Sequence, residues 1–237
     1  MTRFRSDERF PLGAQSFLRA LAKNNNKGWF DDHRQKYTEL LKDPGERVCD
    51  ALSSALSNVV GNPVRYKTYR INRDLRFAKD KTPYNVHLRA SFGGEADLTK
   101  RGCWHFSLDA DRMTFGTGII GFSKQDLKQY RRVLSDAAGL QLLDLISVLE
   151  SNGYRIPDPE LKRPPAPALA DERLRALSCR KSLAVWQDCV APFPKDEAAF
   201  VQAAMAGYQA LMPLILWLDE FVFSKSDAPE DPSCATG

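Results

Sequence analysis

The fifteen residues Arg70 to Tyr84, RINRDLRFAKDKTPY, hold five cations and two carboxylates. Arg70, Arg73 and Arg76 recur every third residue, and Lys79 and Lys81 follow. Guanidinium groups present forked N–H donors that match the oxygens of a phosphate or carboxylate, and an ammonium adds a mobile point charge. The pattern therefore predicts an anion-binding loop made of Arg70, Arg73, Arg76, Lys79, Lys81 and Tyr84. Asp74, Asp80 and Tyr84 are the candidates for moving protons, should the site be catalytic. A spacing of three alternates faces in an extended chain, so the arginines converge only if the segment turns. The competing expectation is a self-satisfied brace, in which the arginines pair with carboxylates of the chain such as Asp31 or Asp32.

Other chemistries find less support. His87, Cys103 and His105 could face one another on neighbouring strands, but they lack the ligand spacing of known metal sites, and no metal is expected. No GxSxG or phosphate-binding P-loop occurs. Gly116, Gly118 and Gly121 spell GxGxxG without a surrounding βαβ pattern, so they are expected to permit a bulge or close backbone packing in a strand. Asp109 and Asp111 read as solvated hairpin residues. No cofactor is implied.

The elements that must position the loop follow from periodicity. Phe17, Leu18, Leu21 and Ala22 predict a helix that stops at Asn24-Asn25-Asn26, residues that favour caps and turns. Asn24 and Asn25 are site candidates as amides, with helix termination as their ordinary role. Trp29, His33, Tyr37, Leu40 and Leu41 recur at helical spacing, with Asp31 and Asp32 placed in the first turn. Asp43, Pro44 and Glu46 read as the cap, first position and capping-box partner of a third helix that ends at Gly61. Trp29 and Phe30 are expected to anchor their helix in the core.

From Val64 the pattern becomes β-branched and aromatic. VRYKTYRI, NVHLRASF, CWHFSLDA and RMTFGTGII predict about four antiparallel strands, with a hairpin at Asp109–Arg112. Ser123 and Asp126 start a further helix, and Leu140, Leu143, Ile146 and Leu149 mark another ending at Asn152-Gly153. Five prolines between Ile156 and Pro167 predict an extended connection. Asp171–Ala184 and Asp196–Phe223 read as helical, with a kink at Met212-Pro213. The layout predicts an α+β fold: one domain over 1–223 and a disordered tail over 224–237.

Composition fits this plan. The 237 residues are 43% hydrophobic and 27% charged, as in a globular protein with a substantial core. No run of about 18 apolar residues predicts a membrane span, and MTRFRSDERF has no apolar h-region of a signal peptide. Five cysteines without a CxxC pair suggest a reducing, cytoplasmic setting. Between Val64 and Tyr84 seven cations face two carboxylates, so this segment carries the whole excess of a chain whose net charge is +4.

FLRALAKNNNKGWF (17–30), YRINRDLRFAKDKTPYNVHL (69–88) and FGTGIIGFSKQDLKQYR (115–131) together resemble the family of domain of unknown function 2461, over most of the chain to about residue 223. The resemblance implies a single α+β domain and no particular activity. It points to Asn24, Asn25, Trp29, Phe30, Arg70, Arg73, Asp74, Arg76, Phe77, Asp80, Lys81, Pro83 and Tyr84. Asn85 departs from it, since the family is associated with a lysine after Pro-Tyr.

Three functions fit these features. The first is a small-molecule site, enzyme or sensor, for an anionic ligand. The second is nucleic-acid binding through the basic segment and its interleaved Tyr66, Tyr69, Phe77 and Tyr84. The third is a structural or interaction module in which the Arg-Asp motif only braces the fold.

Overall fold

A computed structural model describes residues 9–94, 103–165, 169–189 and 192–224. The fold is α+β, with a five-stranded antiparallel sheet in the order β1-β2-β3-β4-β5 and flanking helices. In chain order the elements are α1 (Leu12–Lys23), α2 (Lys27–Asp32), α3 (Arg34–Tyr37), a π-helical turn (Thr38–Lys42), α4 (Asp43–Val60), β1 (Arg65–Thr68), β2 (Leu88–Gly93), β3 (Cys103–Leu108) and β4 (Met113–Ile119). There follow α5 (Lys124–Val133), α6 (Ala137–Ser151), α7 (Glu172–Ser178), β5 (Leu183–Cys189), α8 (Glu197–Leu218) and a second π-helical turn (Asp219–Phe223). Four strands match the predicted ones. The fifth, β5, replaces the end of the helix expected over Asp171–Ala184, because α7 stops at Ser178. The residues of the expected tail from 225 onward lie outside the described ones.

Local signals explain most boundaries. Asn26 caps α2 by accepting from the Trp29 N–H at 3.0 Å. This early start leaves Asp31 and Asp32 at the end of α2 instead of its first turn. Asp31 then pairs with Lys27 at 2.6 Å and Arg34 at 2.7 Å, both neighbours on its own helical stretch. Asp43 does not act as a side-chain cap, because the π-helical turn feeds α4 with backbone already helical at Lys42. Gly61 ends α4, and Ser123 caps α5 by accepting from the Asp126 N–H, as the sequence predicts.

By internal contacts the chain forms two compact units. Of the described residues, the first takes 9–94, 104–116, 186–189 and 192–210; the second takes 103, 117–165, 169–185 and 211–224. In the first, Phe200 is fully buried and meets Phe10, Phe106 and Phe115 at centroid distances of 5.0, 5.7 and 5.6 Å. The Tyr208 hydroxyl donates to the His105 carbonyl at 3.0 Å, so this buried phenol is satisfied. Helix α4 lies close to β2 at Gly45, where an added Cβ would sit 2.7 Å from the Leu88 side chain.

In the second unit Tyr130, Leu142, Leu183, Val185, Leu211 and Leu214 form the core. The Trp217 indole N–H donates to Ala138 O at 3.0 Å, and the Tyr130 hydroxyl donates to Leu177 O at 3.1 Å. Among the described residues, the stretch Glu197–Phe223 is long and apolar enough to cross a membrane by length and composition. Its Phe200, Ala204 and Tyr208 are buried in the first unit, and its Leu211, Leu214 and Leu218 in the second.

Candidate functional site

Strands β1 and β2 pair antiparallel from Arg65↔Gly93 to Thr68↔Ala90, so the charged segment is the connection between neighbouring strands. Its base is stitched by backbone. Tyr69 N donates to Arg89 O at 3.0 Å, Arg73 N to Pro83 O at 2.9 Å, and Asn85 N to Ile71 O at 2.6 Å, around an antiparallel bridge between Asn72 and Tyr84. A connection of this length, otherwise without regular structure, needs such internal support.

Asn25 supplies more from outside the arch. Its carbonyl oxygen accepts from Tyr84 N at 3.1 Å, and its amide donates to Tyr84 O at 2.8 Å, in the manner of a missing strand partner. Tyr84 itself is buried, with its ring stacked on Phe30 at 4.1 Å. Phe30 is the core anchor that the sequence predicts; Trp29 is half-buried, tilted on Phe17 at 5.8 Å and stacked on His33 at 4.1 Å. Asn24 ends α1, its amide donating to Ala20 O at 2.9 Å.

The cations of the arch do not share one focus. Arg73, with only 25% of its side chain exposed, donates to Asp80 at 2.6 Å, to Thr82 O at 3.1 Å and to the Thr82 hydroxyl. Arg76 folds onto Asp74 through three side-chain contacts of 2.6–3.1 Å, on a surface where it is 78% exposed. Lys81 donates to Leu75 O at 3.1 Å, and Lys79 is exposed. Asp80 also accepts from Thr82 N and from the Thr82 hydroxyl. That backbone N–H, Arg73 and the hydroxyl hold its carboxyl down at about 2. Asp74 is lowered for a similar reason, first by the Arg76 guanidinium. Carboxylates held this firmly ionised are poor proton acceptors near neutral pH. Phe77 protrudes from the arch, 95% exposed.

Arg70 goes elsewhere. It lines a cavity of about 190 Å³ in the first unit, together with Tyr37, Lys42, Glu46, Thr68, Tyr69 and His87, over an apolar floor of Leu41, Ile71 and Leu88. The Arg70 carbonyl accepts from the Asn85 amide at 3.1 Å, so the residue that departs from the family pattern helps place this arginine. Burial, then the neighbouring Arg89 charge, pushes His87 down to about 4, against a smaller upward pull from Asp109. The imidazole is therefore neutral at pH 7. Burial first, then the Glu46 and Asp43 charges, raises the Tyr37 phenol, which keeps its proton. Arg70 and Lys42 supply the positive charge of the cavity and Glu46 the negative.

A larger cavity of about 460 Å³ is lined by Arg9, Phe10, Glu39, Arg47, Asp196 and Glu197 among others. Its Arg47 already holds Glu197 in a two-point pair at 2.5 and 3.1 Å, and its acids outnumber its cations. In the smaller cavity the cations Arg70 and Lys42 outnumber the one acid, Glu46.

Of the residues read as an anion-binding loop, only Arg70 lines that cavity. Tyr69 and His87, read as an interleaved aromatic and a metal candidate, line it too, while Tyr37, Lys42, Glu46 and Thr68 carry no site signal in the sequence. Cys103 and His105 are buried, and His105 Nδ1 lies 2.8 Å from the Ser91 hydroxyl. Among the described residues, no group of three or more His, Cys, Asp or Glu is placed to hold a metal ion.

His87 makes stability pH-dependent. The unfolded imidazole titrates near 6.5 and the folded one near 4, so between these values the unfolded state binds more protons. Stability is fully present above about 6.5 and falls as pH drops towards 4. After discounting for solvent screening of a half-exposed ring, the expected loss is about 1 kcal/mol. Urea midpoints should fall over that window for the native chain and stay flatter for His87→Gln.

An α+β protein with an arginine-braced arch beside a small polar cavity is the class defined by these features. The chain belongs to the family described as conserved hypothetical protein (DUF2461), whose model matches residues 14–217. No curated protein matches it.

Proposed function

We propose that this protein binds a small anionic ligand, bearing a carboxylate or phosphate, in the cavity at Arg70. The observation that carries the reading is the division of labour within one motif. Arg73, Arg76 and Lys81 are engaged by the arch itself, whereas Arg70 lines a cavity beside a neutral His87, a protonated Tyr37 and Lys42. Pockets of this kind bind by an apolar floor and a few convergent polar groups. Arg70 supplies the forked donors, Lys42 a second charge, and the Tyr37 and Thr68 hydroxyls hydrogen bonds. The Arg-Asp motif is then the frame of the site, with Asp74 and Asp80 as braces in place of acid–base groups.

We place the protein in a reducing, cytoplasmic compartment. Supporting this, Cys49 and Cys179 are buried free thiols, and burial pushes Cys49 up to about 12, far from reactive.

Calorimetric titration with inorganic phosphate and with small carboxylates tests the reading. A charge-assisted contact is worth about 1.5–3 kcal/mol, so Arg70→Gln should weaken binding by roughly 10- to 100-fold. Arg76→Gln, at the exposed Asp74 pair, should leave affinity within about twofold. Equal losses in both variants, or binding by neither anion, would count against the cavity.

A further inference from the structure

The cavity is bipolar, and this bears on what its ligand carries besides an anion. Its lining takes Thr68 from the end of β1 and Arg70 from the chain just after it. It takes Lys42 from the π-helical turn and Glu46 from the start of α4. Resting on the reading of an anion held at Arg70, we propose that the ligand also carries an amine, received by Glu46: it is an amino acid or a short aminocarboxylate.

Three observations support this class. The Lys42–Glu46 contact is 3.9 Å, longer than pairs such as Lys36–Glu39 at 2.8 Å and Lys27–Asp31 at 2.6 Å and comparable to Arg112–Asp188 at 3.8 Å. Glu46 accepts no hydrogen bond from Lys42 at that distance, and a second ammonium can approach it. The Glu46 charge acts on Tyr37, which lines the same cavity, so its field is felt inside the site as well as in solvent. Finally, the volume of about 190 Å³ lies below the usual range of drug-sized pockets, roughly 300–1,000 Å³. A ligand of that size spans the walls by a short carbon chain over Leu41, Ile71 and Leu88. Arg70 and Lys42 then offer cations to the carboxylate and Glu46 an acceptor to the amine, which selects a zwitterion over a simple acid.

The test compares matched pairs by calorimetry on the full chain: glycine with acetate, 4-aminobutanoate with butanoate, and leucine with 4-methylpentanoate. At least one amino acid should bind ten-fold or more tightly than its deaminated partner, and Glu46→Gln should erase that difference. If acids and amino acids bind alike, the amine is not recognised, while the anion reading stands. If no pair and no inorganic phosphate binds, both readings fall together. A preference for the amino acid that survives in Glu46→Gln would overturn the role of Glu46. Melting curves of the variant, whose substituted side chain is half-exposed, separate loss of recognition from loss of fold.

Discussion

Gly118→Ala should lower stability by at least about 4 kcal/mol, the upper end of what single substitutions do. Gly118 sits in β4 with φ +124°, a conformation that side chains rarely adopt. An added Cβ would lie 2.0 Å from Leu183 O and 2.7 Å from Ala184 Cα, both backbone atoms of β5. No rotamer change relieves a clash with backbone, so the strand must move or the local conformation must flip. Strain of about 1–3 kcal/mol for the dihedral adds to the cost of the displaced packing of Leu183, which is fully buried. Gly121 is the internal control. It too has positive φ, +96°, but nothing lies within 4 Å of the place an added methyl would take, so Gly121→Ala should cost only the dihedral strain. Thermal unfolding should show Gly118→Ala melting roughly 10 °C below the native chain and Gly121→Ala only a few degrees below it. Similar melting of the two would mean that β5 does not approach β4 as described.

Asn25→Ala should cost about 3 kcal/mol, read as a drop in the urea midpoint at unchanged slope. The side chain satisfies both polar groups of one peptide strand, the N–H and the carbonyl of buried Tyr84. Alanine leaves both without that partner, beside a Tyr84 ring that stays stacked on Phe30. Asn25→Asp separates this from a loss of bulk. Aspartate keeps the acceptor for Tyr84 N–H but turns an oxygen towards Tyr84 O, where a donor is required, so it should not rescue. If Asn25→Ala melts like the native chain, the arch is held by its own backbone stitches alone.

How far the molecule can be read from its sequence depends on the range of each signal. Elements set by neighbours a few residues away are legible: the stop at Asn24, the Ser123 cap, the end of α4 at Gly61 and the hairpin at Asp109–Arg112, where Asp109 N donates to Arg112 O at 3.0 Å. Gly118 of the GxGxxG match is legible too, since it permits the close strand approach inferred for it, whereas Gly121 lies beyond β4 with nothing within 4 Å of an added Cβ. Strand β5 is not. Leu174 and Leu177 stand at helical spacing and no turn signal as strong as glycine or proline follows before Leu183, and what makes Leu183–Cys189 a strand is a sheet neighbour some seventy residues earlier.

The cavity is only partly legible, for a different reason. Arg70 belongs to a visible motif, but Tyr37, Lys42 and Glu46 reach the same space across a π-helical turn that shifts the register of a helical count. His87 arrives from the far foot of the arch. The density of charge in RINRDLRFAKDKTPY points to the right segment, while the partners of each cation depend on how Asp74, Asp80 and Thr82 fold back within it.

The central claim is that Arg70 of this segment serves a ligand while Arg73, Arg76 and Lys81 serve the arch. Crystals of the full chain soaked in selenate test it directly, through the anomalous signal of the ion. The strongest peak should lie against the Arg70 guanidinium, in the cavity lined by Tyr37 and His87, with the Arg73–Asp80 and Arg76–Asp74 pairs intact. A peak shared by Arg73 and Arg76 with Asp74 and Asp80 displaced, or no peak at Arg70, would contradict it.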